Sequence, residues 1–317
     1  MKTITTVLGR QNPENLGFCH CHEHLMLSKG VSFERNPALC MEDVEKSTQE
    51  ALLFRQAGGK TIIEAQPGGC NRMESALHKI AEASGLNIIA STGFHKLIFY
   101  PEDHWLYTAD EEFLYNFYVH ELTEGMYTDI DHTFHDTTAP FCAGIVKTAL
   151  DTEGLTPVYR KLFTAAARAS ITADVPLMVH IEQKSRPDEL LAFLLELGVP
   201  AKRIIFCHMD RSVEDLSYYT QFLEQGITLE FDTIGRFKYH SDEDEVQLFR
   251  TLLDHGYEDQ LLFSLDTTAA RLKSYTPDAV GLDYILTVFL PALKEAGVTD
   301  AQIRKISHDN CVHVFTD

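Results

Sequence analysis

Three histidines alternate with other residues in Phe18-Cys19-His20-Cys21-His22-Glu23-His24. Elsewhere, four polar residues each close an apolar run: Lys147 after Ala143-Gly144-Ile145-Val146, His180 after Pro176-Leu177-Met178-Val179, His208 after Ile204-Ile205-Phe206-Cys207, and Asp266 after Leu261-Leu262-Phe263-Ser264-Leu265. Imidazoles and carboxylates are the usual ligands of zinc-like divalent ions. Alternate side chains of a strand share a face, so His20, His22 and His24 are expected to point one way, with His22 and His24 gripping one ion. Chance histidines on a surface strand would account for an isolated His-x-His. They do not account for a polar residue at the end of one buried strand after another. Cys19 and Cys21 offer thiolates, but they alternate with the histidines and read as small buried hydrophobes facing the helix layer.

These ligands need elements that bring them together. The runs 17–24, 61–65, 87–92, 142–147, 176–180, 203–208, 228–231 and 260–265 read as strands, apolar without polar alternation, as in a parallel sheet covered on both faces. Helical patterns follow over 41–57, 72–84, 110–125, 157–173, 188–197, 213–225, 242–255 and 282–296, with a last one over 300–307. Residues 28–40 read as a loop. A short strand over 3–8 and a turn at 12–15 suggest a lid over a closed end. Alternating strands and helices of this number predict an α/β protein, a (β/α)8 TIM barrel, as a single domain over 1–317. The stretch 93–140, rich in aromatics and histidine, is a candidate wall for a substrate pocket, or a helix packed outside the barrel over aromatics.

In such a barrel the carboxyl ends of all strands meet at one face. Four imidazoles and a carboxylate exceed what one open site needs, which implies two metal ions. Lys147 is the unusual member, because dications repel an ammonium. A neutral amine there can take up CO2 to give a carbamate whose two oxygens bridge the ions; the alternative is a core-edge lysine in an internal ion pair.

Composition sets the remaining bounds. With 44% hydrophobic and 23% charged residues the chain can build a sizeable core. The formal charge of −20 speaks against a grip on nucleic acid or on an anionic membrane. No apolar run approaches the roughly 18 residues of a membrane span, and the first residues lack the core of a signal peptide. Seven cysteines without a pairing pattern fit a reducing compartment. The cytoplasm is the expected location.

The segments Gly17-Phe18 through His22-Glu23-His24-Leu25, Ala143 to Lys147, the strand ends at His180 and His208, Glu230-Phe231-Asp232-Thr233-Ile234-Gly235 and Ser264-Leu265-Asp266 together resemble the phosphotriesterase family of the amidohydrolase superfamily. The resemblance implies a binuclear site, with His22, His24 and Asp266 on one metal and His180 and His208 on the other. Carboxylated Lys147 and a hydroxide would bridge them. Zinc is the expected metal, with manganese or cobalt as substitutes. It also implies hydrolysis of an ester-like bond, with Asp266 taking the attacking proton and returning it to the leaving oxygen. A homodimer is a family-level expectation.

Many relatives of this kind resemble lactonases, and several carry tyrosine near the end of strand three; the matching segment here offers His95 instead. The loops after strands seven and eight hold Arg236, Lys238, Tyr239, Arg271, Lys273 and Tyr275. Lys238, Arg271 and Tyr275 are the expected contacts to an anionic group, and a phosphorylated sugar lactone is the expected substrate. Asp232 is expected to orient His208 or another ligand. Competing readings are a phosphotriesterase or carboxylesterase with the same metals, a mononuclear deaminase, and a metal-bound barrel without catalysis.

Overall fold

The computed structural model describes residues 3–212 and 214–316. A short hairpin, β1 (Ile4–Thr6) and β2 (Gly9–Gln11), precedes eight strands: β3 (Phe18–Glu23), β4 (Gly59–Glu64), β5 (Asn87–Gly93), β6 (Ile145–Leu150), β7 (Leu177–Ile181), β8 (Ile204–Cys207), β9 (Thr228–Phe231) and β10 (Leu261–Phe263). β3 to β10 lie side by side in sequence order, each parallel to the next. The seam between β10 and β3 is closed by single bonds: Asp266 N–H donates to the His22 carbonyl at 3.1 Å, and Ser264 Oγ accepts from His22 N–H at 2.9 Å. Glu23 completes the clasp. Its carboxylate accepts from Ser264 Oγ, Leu265 N–H and both donors of Thr267, at 2.7 to 3.1 Å. The result is a (β/α)8 TIM barrel.

The helices are α1 (Val31–Arg35), α2 (Val44–Ala57), α3 (Glu74–Ser84), α4 (Trp105–Thr108), α5 (Glu111–Thr123), α6 (Pro157–Ala173), α7 (Pro187–Glu196), α8 (Leu216–Leu223), α9 (Asp242–Asp254), α10 (Leu290–Glu295), α11 (Asp300–Arg304) and α12 (Asn310–Phe315). Local chemistry sets their ends. Asp43 caps α2 by accepting from the N–H groups of Glu45 and Lys46, and Gly58 ends it in the left-handed region at φ 117°. Thr156 and Pro157 start α6, and Ser241 and Asp244 form a capping box on α9. Helix 157–173 and strand 228–231 match their predicted bounds. The helix predicted from 213 begins at Leu216, residue 213 lying outside the described residues, and α1 occupies part of the predicted loop 28–40. Among the described residues no helix is long and apolar enough to cross a membrane.

Two apolar layers result. The larger lies between strands and helices. The smaller fills the floor of the barrel with Ile63, Ile89, Ile145, Met178 and Ile205, sealed by Ile4 and Leu16 on one side and by Cys311, Val314 and Phe315 of α12 on the other. The N-terminal hairpin thus closes the barrel as expected, but α12, beyond the predicted helix end, shares the task.

Strict alternation fails in β3. Its register against β4 shifts between His20 and Glu23, a bulge that places two successive side chains on the inner side. Cys19 and Cys21 therefore enter the barrel floor rather than the helix layer, with Cys21 Sγ 3.2 Å from Cys311 Sγ. His20 points outward instead, its ring 4.4 Å from that of Phe54 and its Nδ1 2.8 Å from Glu23. His22, beyond the bulge, faces inward. The single-face reading of the three histidines is corrected by this one extra residue.

Candidate metal centre and substrate cavity

The six expected ligands meet at the carboxyl-terminal mouth. Donor atoms of His22, His24 and Asp266 lie within 4.8 Å of one another. His22 Nε2 is 3.0 Å from Lys147 Nζ and 3.9 Å from Asp266 Oδ1, and His24 Nε2 is 3.5 Å from the same oxygen. His180 Nδ1 stands 2.7 Å from His208 Nε2. All six are buried. Lys147 sits inside β6 rather than at its end, since β6 runs on to Leu150. Its carbonyl accepts from Phe94 N–H at 2.9 Å, and β5 comes so close that a Cβ on Gly93 would overlap that oxygen. Only glycine fits there.

Carboxylates behind the histidines decide which ring nitrogens are free. Asp232 Oδ1 is 2.6 Å from His208 Nδ1, and its Oδ2 accepts from His208 N–H at 3.0 Å and lies 3.2 Å from His22 Nδ1. Glu230 stands 3.4 Å from that same Nδ1. Glu182 Oε2 is 3.2 Å from His180 Nε2. A carboxylate only accepts, so each contacted nitrogen carries the proton and the opposite one keeps its lone pair. His180 Nδ1 and His208 Nε2 thus present lone pairs to each other, an arrangement that a positive charge between them relieves. The donor set fits metal ions. His208 and Asp266 also take left-handed backbone at φ 63° and 48°, strain of the kind held at functional sites.

The electrostatics agree. Burial, followed by the neighbouring His208 ring, holds His180 well below the usual histidine range; burial, followed by Arg211, does the same to His208. Burial pushes the Asp266 carboxyl up, but Arg236 and His24 outweigh it and hold the group well below the carboxylate range.

Beside the ligands lies a cavity of about 180 Å³, lined by His95, Lys96 and Phe99 from the insertion, Leu27 and Leu39, Glu182, Arg211 and Arg236. The insertion serves both expected purposes. Its first residues wall the cavity, while Trp105, Phe113, Phe117, Tyr127 and Phe134 stack on one another. Arg72 anchors it through Glu121, at 3.1 and 2.6 Å.

His95 faces the cavity, but the expected anion contacts do not. Arg271 is buried and donates to the carbonyls of Gly235 and Ile234 at 3.1 and 2.6 Å, bracing the loop after β9. Tyr275 donates to the Asp43 carbonyl at 2.8 Å and shares a hydrogen with Ser47, tying its loop to α2. Lys238 is exposed, 4.5 Å above the Tyr239 ring. The cations that line the cavity are Lys96, Arg211 and Arg236. Lys96 Nζ reaches Glu182 at 2.5 Å, Arg211 lies 3.6 Å from the same carboxylate, and Arg236 Nη1 is 3.0 Å from Asp266 Oδ2. Of these only Arg236 stood among the residues of the predicted cationic corner. Spacing offered a signal for Arg211, which follows His208 by three positions, and for its partner Glu182, which follows His180 by two; for Lys96 the only one is its place next to His95.

A parallel barrel whose mouth gathers buried histidine and carboxylate donors can hold catalytic metal ions, and together with its likeness to known lactonases it marks a metal-dependent hydrolase acting on ester bonds. The sequence model of the Phosphotriesterase family matches residues 2–315, and the chain belongs to that family. A phospho-furanose lactonase from Mycoplasmopsis synoviae is 31% identical over 98% of this chain and 90% of its own. Among solved structures, an amidohydrolase from Mycoplasma synoviae superposes with a TM-score of 0.93 at 30% identity, over 99% of this chain and 92% of that one. A lactonase from Listeria monocytogenes gives 0.88 at 26%, over 99% and 98%.

Proposed function

We propose that this protein is a cytoplasmic, binuclear-metal lactonase that opens a phosphorylated sugar lactone. The observation that carries the reading is the coincidence, at one mouth, of the facing His180 and His208 lone pairs with a cavity walled by three cations. His22, His24 and Asp266 would hold one ion and His180 and His208 the other, zinc being the metal that best suits imidazole and carboxylate. Lys147, as the amine, could add CO2 and release a proton, and its carbamate would supply further oxygen donors for the ions. When bound, the ion pair supplies a water acidic enough to attack at neutral pH and positive charge for the carbonyl oxygen.

The chain's own groups do the rest. His95 Nδ1 accepts from Lys96 N–H at 2.7 Å, so the proton sits on Nε2 and can be donated to the lactone carbonyl; burial keeps that ring neutral. Asp266 takes the proton of the attacking water and delivers it to the ring oxygen as the ester bond breaks. Arg236 fixes the orientation of that carboxylate. Lys96 and Arg211 meet the phosphate, in place of Lys238, Arg271 and Tyr275. A neutral phosphotriester or simple carboxylic ester, the alternative substrate, gains nothing from those cations. The partner is a small anionic molecule, and assembly as a homodimer is proposed from the family alone.

A panel of sugar lactones with and without a phosphate, assayed with Zn²⁺, Mn²⁺ or Co²⁺, tests this reading. Preferential opening of phosphorylated lactones supports it. Absence of any lactone or ester hydrolysis overturns it.

A further inference from the structure

A second polar cluster lies outside the cavity, enclosed by the loop after β8, the loop after β9 and the first turn of α9. Asp210, His240 and Glu245 each offer a donor atom there, all within 4.8 Å of one another. Asp210 and Glu245 have no exposed surface, and the His240 side chain is 4% exposed. Asp210 Oδ2 accepts from Thr233 N–H at 2.6 Å, while Asp210 Oδ1 and both oxygens of Glu245 have no hydrogen-bond partner. Among the described residues no lysine or arginine pairs with either carboxylate. Buried carboxylates are normally paired, hydrogen-bonded or bound to metal.

His240 sharpens the point. Its Nδ1 donates to the Ser241 carbonyl at 3.0 Å, which leaves Nε2 to face the two carboxylates. That Nε2 lies 3.2 Å from Glu245 Oε2 and 2.9 Å from Thr233 Oγ1. Two buried carboxylates held within 4.8 Å of each other repel unless something positive sits between them.

We propose that Asp210, His240 and Glu245 form a third cation site, separate from the catalytic pair, for a first-row divalent ion such as Mn²⁺ or Zn²⁺. One such ion neutralises both carboxylates and takes the imidazole Nε2 as a nitrogen donor, a mixture that favours these ions over magnesium or calcium. Thr233 Oγ1 stands beside it as a further oxygen. The ion links the loop that carries Arg211 with the loop that carries Asp232 and Arg236, and both with α9. It is a strut for the mouth and takes no part in the reaction.

The site stands independently of the lactonase reading, because its test counts metal rather than turnover. The full chain is saturated with Mn²⁺, freed of excess by gel filtration and analysed for metal, then crystallised for anomalous diffraction at the manganese edge. Three ions per chain, with an anomalous peak between Asp210, His240 and Glu245, are expected. Glu245→Gln should bind two, a loss of one ion per chain with the mouth still filled. Two ions in the unaltered protein, with both peaks at the mouth, overturn the proposal and leave protons as what neutralises the cluster. If Glu245→Gln does not fold, the anomalous map of the unaltered protein decides alone.

Discussion

The two ends of the barrel are made from the same eight strands and have opposite chemistry. At the floor, strand side chains are isoleucine, methionine and cysteine, closed over by Ile4, Leu16 and α12. At the mouth they are histidine, lysine and aspartate, two of the histidines being held at set angles by Asp232 and Glu182. The floor tolerates anything apolar that fills its volume. The mouth tolerates little, because each ligand is buried and each nitrogen that donates fixes the one that binds. Stability resides mainly in one end and reactivity in the other.

The sharpest break of this comparison is Asp266→Asn. It should lower kcat/KM by about a thousandfold or more, because ligand and proton carrier are lost together, while the melting temperature stays within a few degrees. Unchanged hydrolysis in the variant would remove the catalytic assignment. Next comes the floor. Phe315→Ala, measured by chemical denaturation, should cost about 3 kcal/mol as a buried aromatic is deleted, with KM unaltered. A changed KM would show that the two ends are coupled. Arg211→Met and Lys96→Met should each raise KM for a phosphorylated lactone by about tenfold to a hundredfold, as a charge-assisted hydrogen bond is lost, and leave unphosphorylated lactones alone. Arg271→Met, which breaks a brace and no substrate contact, should lower stability instead.

The smallest effect concerns pH. Burial pulls His104 down from 6.5 to about 4, and its Nδ1 caps α4 by accepting from Leu106 N–H. The folded pKa is below the unfolded one, so the unfolded chain takes up a proton that the folded chain refuses. Stability should therefore fall as pH drops from 6.5 to about 4. His104→Asn, which keeps an acceptor without the titration, should show a shallower decline in denaturation midpoint over that range.

Much of the barrel is legible from the sequence, because each ligand is the polar residue that interrupts or ends an apolar run, and such runs need no partner to be seen. The bulge in β3 is not, since it exists only in the register between two strands. Lys147 was expected at a strand end; that β6 continues to Leu150 depends on its pairing with β7. Arg271 and Tyr275 carry the composition of a binding corner, but whether a guanidinium meets a ligand or a carbonyl of the neighbouring loop is decided by folding. Lys96 and Arg211 were passed over for the converse reason: they sit in loops whose direction the strands set.

The bulge also ties the reading frame of β3 to its function. Within a few residues the strand hands Cys21 to the sealed thiols below and His22 to the ligands above. Removing that extra residue would restore strict alternation, and Cys21 and His22 could no longer both face the barrel interior. Length, more than identity, is what this segment cannot vary.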